Sequence, residues 1–88
     1  MTVLVDDPLW PAHGRLWAHL VSDDTLQELP DFARAHDVPA RAFDLDHYDV
    51  PEEIIPRLLT AGAQHVGGKE LVRRLIASGL RIPARDRR

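Results

Sequence analysis

The chain has no cysteine among its 88 residues. That removes disulfides, thiolate nucleophiles, iron–sulfur clusters and thiolate zinc sites together, so any bound metal must be held by His, Asp or Glu. Serine is nearly as scarce, with Ser22 and Ser78 alone and no Gly-x-Ser-x-Gly elbow, which argues against a serine hydrolase. Aromatic residues make up 6% of the chain, and none interleaves the arginines near the carboxyl end as a stacking reader of nucleic acid requires. Long hydrophobic runs are missing too, none approaching the roughly 18–20 residues of a membrane span. The opening MTVLVDD carries carboxylates where a secretory signal carries positive charge, so the chain is expected to remain in the cytoplasm, with no membrane partner.

What is present is an ordinary globular composition, 44% apolar and 28% charged. A chain this short buries only about 60–65% of its unfolded surface and supports one core. A single domain is therefore expected over residues 1–80, followed by a basic flexible tail at 81–88. Charge is unevenly divided. Residues 1–53 hold twelve acids against three arginines, leaving −9, whereas residues 54–88 hold eight bases against two acids, leaving +6. The halves either attract each other within the fold or present a cation-binding face and an anion-binding one.

TVLV at 2–5 is a β-branched run stopped by Asp6, Asp7 and Pro8, and reads as a buried strand. DDPLWPAHG, with two prolines and a glycine, reads as a loop. LWAHLV at 16–21 reads as a second strand, and a helix is expected from Ser22–Thr25, where Thr25 and Glu28 have capping-box spacing and Pro30 falls in the first turns. RAFDL at 41–45 predicts a third strand that DHYDV prolongs or ends. A helix follows from Pro51 or Pro56 to Gly62, then a short strand at 63–66. GGKELVRRLIASGL is the clearest helix, its predicted buried stripe Leu71, Val72, Leu75 and Ile76. The expected fold class is α/β: one small two-layer or three-layer sandwich, with a short, mostly parallel sheet of 3–4 strands and about three helices.

Ligand sites gather at strand carboxyl ends in α/β sheets. If the first three strands are parallel neighbours, Asp6, Asp7, His19, Asp23, Asp46, His47 and Asp49 converge, and Asp6, His19 and His47 become candidate ligands of a divalent metal such as Mn²⁺, Fe²⁺ or Zn²⁺. Such a site could activate water for hydrolysis. His19, His47 and Tyr48 are the candidate acid/base groups, and Arg15 and Asp23 the candidate ligand-binding ones, with Arg15 suited to a small anionic ligand. Against this, no H-E-x-x-H or H-x-H spacing is present, a His in an apolar strand such as His19 is more often a hydrogen-bonded structural residue, and Asp49 suits the cap of the following helix. GGKE at 67–70 lacks the rest of a P-loop and reads as a turn. Two rival readings are a noncatalytic homodimerisation module using Leu9, Trp10, Leu16 and Trp17, and, more weakly, nucleic-acid association through Arg73, Arg74, Arg81, Arg85, Arg87 and Arg88.

Taken in order, VDD, HGR, AHLVSDDTLQEL, DHYDVP and AGA give the chain a resemblance over about residues 2–76. It resembles the small bacterial and phage proteins of domain of unknown function 4031. The family pattern falls on Asp6, Gly14-Arg15, His19, Ser22-Asp23, His47-Tyr48-Asp49 and Gly62-Ala63. The chain departs from it at Ile54 or Ile55, where members often carry an arginine. The resemblance implies a shared fold unit and groups these residues, and it implies no reaction.

Overall fold

The structure, a computed structural model, describes residues 2–83. The chain opens with β1 (Val3–Val5), whose three residues are all buried. It then forms a hairpin of β2 (Trp10–Ala12) and β3 (Arg15–Ser22). The two-residue turn between them holds His13 and Gly14 at φ 52° and 76°, the left-handed pair that suits strand twist and favours glycine at its second position. The stretch expected to be loop therefore contains a strand, because Pro11 sits at a sheet edge where its missing N–H is tolerated.

α1 (Glu28–Ala35) starts later than the capping spacing implies, although Thr25 Oγ1 does accept the Glu28 N–H at 3.2 Å. A 3₁₀ turn at Ala40–Ala42 leads into β4 (Phe43–Asp44), and a reversal at Leu45–Asp46 leads into β5 (His47–Pro51). The strand expected at RAFDL is thus confined to Phe43–Asp44, and the longer strand lies in HYDVP. After a 3₁₀ turn at Glu52–Ile54, α2 (Ile55–Thr60) carries Pro56 in its first turn, where the lost N–H costs nothing. β6 (Gln64–His65) and α3 (Gly68–Ser78) follow, and Gly79 closes α3 at φ 83°.

The sheet has six strands in the order β4-β5-β3-β1-β6, with β2 lying against β3. Only the β1–β6 pair is parallel. This corrects the expected mostly parallel sheet of 3–4 strands to a larger mixed one. The reason is local: two-residue reversals join β2 to β3 and β4 to β5, and only antiparallel neighbours can be joined so tightly.

Side chains alternate across the sheet. One face sends Val3, Val5, Ala18, Leu20, Tyr48 and Val50 against Leu29 and Ala33 of α1 and Ile55 and Leu58 of α2. On the other face Leu4 and Val21 meet Leu71 and Leu75 of α3. Helices on both faces make this a three-layer α/β/α arrangement. Val72 and Ile76, expected in the buried stripe of α3, are exposed, since one short helix over part of a sheet face buries a stripe only two residues wide. No helix among the described residues is long and apolar enough to cross a membrane.

A candidate metal centre on the sheet

α3 covers the β1 end of its face and leaves the β3–β5 part largely to polar side chains. Register decides which ones. His19 of β3 pairs with Asp49 of β5, and His47 lies two residues before Asp49, so all three project from the same face as near neighbours. One donor atom from each of His19, His47 and Asp49 can be chosen so that all lie within 4.8 Å of one another. The two imidazoles meet edge to face with centroids 5.1 Å apart.

Each imidazole is held from behind by a buried carboxylate. Asp6 follows the last residue of β1 and lies opposite His19. Its Oδ1 accepts the His19 backbone N–H at 2.7 Å, and its Oδ2 lies 2.9 Å from His19 Nδ1. Asp46, in the reversal before β5, places Oδ1 2.9 Å from His47 Nδ1. Asp6 and Asp46 are only 6% and 5% exposed, so neither can face solvent-borne ligands while both can fix ring orientation. Leu45, at φ 62°, bears the strain of turning the chain so that Asp46 points inward, at a cost of about 1–3 kcal/mol. Asp46 offsets that cost through further contacts: its Oδ2 accepts the Ile82 N–H at 2.9 Å and lies 3.8 Å from Arg81.

His47 is the sharpest feature. Its Nδ1 faces Asp46, and its Nε2 lies 3.1 Å from Asp49 Oδ1. A neutral imidazole has one N–H, so it can donate to only one of two flanking carboxylates. The other contact needs either a second proton or a cation between nitrogen and oxygen. Metal–ligand distances of about 2.0–2.2 Å place adjacent donors about 3.0–3.5 Å apart, which the His47–Asp49 spacing matches. His19 Nε2 has no hydrogen-bond partner among the described residues. His19 and His47 open on a cavity of about 300 Å³ walled by Leu71, Val72 and Leu75 of α3 and by Arg81.

The Asp6 carboxylate hydrogen-bonded to His19 raises its pKa above the ordinary value of about 6.5, and partial burial opposes but does not cancel this. The protonated His19–Asp6 pair therefore stabilises the fold fully below that ordinary value, and the contribution is lost as pH rises through the raised one. A metal held by His19 would require the neutral ring, so its affinity would change the opposite way and weaken as pH falls through the same value. Thermal melts and metal titrations over this range check both signs. Equal pH profiles for the wild type and His19→Gln would contradict them.

The structure redistributes the residues nominated from sequence. His19 and His47 meet as expected, although mid-strand register brings them together and not parallel strand ends. Asp6 stands behind His19, both oxygens occupied by it, and the half-buried Asp49 is the carboxylate that lies beside the two imidazoles. Asp49 is a mid-strand residue and not a helix cap. Tyr48 points to the opposite face, 5% exposed in the larger core, so it cannot act at this centre. Asp23 is bound to Arg74, and Arg15 lies 3.4 Å from Glu53. Of the arginines proposed for nucleic acid, Arg73 pairs with Glu70, Arg74 with Asp23 and Arg81 with Asp46, while Arg85, Arg87 and Arg88 lie outside the described residues. Asp49 shows in the sequence by period, since polar 47 and 49 alternate with apolar 48 and 50 in a strand with one wet face, whereas Asp46 lies in the reversal before it, where no period marks it.

No curated protein and no solved structure matches the chain. The paired strands that carry His19 and His47-Tyr48-Asp49, with Asp6 ahead of them, nevertheless lie inside a segment that does match: over residues 3–78 the chain belongs to the family described as Protein of unknown function (DUF4031).

Proposed function

We propose that the protein binds one divalent transition-metal ion through His19, His47 and Asp49. The observation that carries this is the double carboxylate backing: both imidazoles present Nδ1 to a buried aspartate, which leaves Nε2 of each for a ligand. Two imidazoles and one carboxylate from paired strands are a nitrogen and oxygen donor set that would hold such an ion with room for water and a substrate atom. Zn²⁺, Fe²⁺, Mn²⁺ and Ni²⁺ suit such donors, whereas Ca²⁺ and Mg²⁺ prefer oxygen alone. A metal held there would supply Lewis-acid chemistry and an activated water, and the reaction class that fits this is hydrolysis. Asp6 and Asp46 keep the rings oriented, and Arg81 at the cavity mouth favours an anionic group near the metal.

Elemental analysis of protein purified without chelator, followed by calorimetric titration of chelated protein with Zn²⁺, Mn²⁺ and Ni²⁺, tests the reading. One ion per chain is expected. Protein that arrives without metal and gives no heat with any of the three ions would overturn it.

A further inference from the structure

A second cavity, of about 440 Å³, lies beside the metal centre and shares only Asp49 with it. Its volume is within the range of small-molecule sites. Its wall is aromatic and apolar: Trp10 and Trp17 stack with centroids 5.8 Å apart, and Pro51 and Ile54 continue the surface beside them. All four are half-buried, so a flat ligand could reach them. Trp17 is fixed by its Nε1–H donated to Ala12 O at 2.8 Å. Trp10 Nε1 is a buried donor with no partner.

The rim is basic. Arg15, Arg41 and Arg57 are exposed there, against the carboxylates of Asp37 and Asp49. The three guanidiniums differ in their commitments. Arg15 pairs with Glu53, and Arg57 donates to His36 O at 3.0 Å. Arg41 has neither a hydrogen bond nor an ion pair among the described residues, and Asp49 is turned toward His47. An uncommitted guanidinium lining the same hollow as two tryptophans suits a carboxylate or phosphate carried on an aromatic body.

We propose that this cavity binds a small aryl oxyanion, its ring against the Trp10–Trp17 wall and its acid group on Arg41. The site stands on its own groups and does not require the metal, although Asp49 at the shared edge would set the ligand next to it.

The test uses the full chain with nitrogen-15 label, chelated in one arm and zinc-loaded in the other. Phenylacetate and phenyl phosphate are the probes, and benzyl alcohol and inorganic phosphate the controls. With only two tryptophans, the two indole N–H resonances read the wall directly. Saturable shifts of these signals by the aryl acids in the chelated arm, with affinity reduced about tenfold in Arg41→Ala, are expected. Whichever of the two acids binds more tightly identifies the headgroup. Absence of saturable shifts, equal binding of benzyl alcohol, or unchanged affinity in Arg41→Ala would each overturn the proposal. Because the chelated arm decides it, failure of metal binding and failure of this site are read separately.

Discussion

Replacing His47 by alanine is expected to weaken divalent-metal affinity by about 100-fold or more, because it removes one of the three proposed donors and leaves Asp49 without its partner. His19→Ala and Asp49→Ala should act alike. Asp46→Asn should have a graded effect of about 10–100-fold, since the amide still fills the site behind His47 but no longer orients its Nδ1–H with a charge. Asp23→Asn is the control: Asp23 binds Arg74 and takes no part in the centre, so metal affinity should hold. Calorimetry measures all of these, with circular dichroism to confirm that each variant folds. Wild-type affinity in His47→Ala would remove His47 from the ligand set.

The second large effect concerns the core that holds the site in register. Leu20→Ala should destabilise the fold by about 2–5 kcal/mol, because Leu20 is 0% exposed at the centre of the larger core and the cavity left behind cannot collapse between a sheet and two helices. In a domain of this size that corresponds to a melting temperature lowered by about 10–30 °C. Leu9→Ala, at 77% exposure, should change stability by less than about 0.5 kcal/mol. Thermal denaturation followed by circular dichroism compares the two, and similar losses for both would mean that Leu20 does not occupy the core described.

Much of the secondary structure was legible locally. β1, β3, β6 and α3 fall where β-branched runs, apolar periodicity and terminal glycines put them, since these signals depend on a residue and its near neighbours. β2 and β5 are less legible, for reasons that are also physical. Trp10-Pro11-Ala12 lacks a strand pattern and is ordered by pairing with β3, and HYDVP reads as either the continuation or the end of the preceding strand, because Asp49 and Pro51 are common in caps. α1 carries its start signal at Thr25, yet the regular helix begins only at Glu28, with Pro30 in its first turn.

The sequence by itself determined an α/β domain, the absence of thiolate chemistry, and a short roster of chemically able residues that included His19 and His47. It could not determine which of them share a face. That depended on strand direction: β3 runs antiparallel to all three strands it pairs with, and a shift of one residue in register would send His19 or Asp49 into the core with Tyr48. Tertiary structure therefore decided that Asp6 and Asp46 stand behind the imidazoles, that Asp49 stands before them, and that Tyr48 belongs to packing. The physical reason is that side-chain chemistry is a property of each residue, whereas convergence is set by backbone hydrogen bonds between segments far apart in the chain.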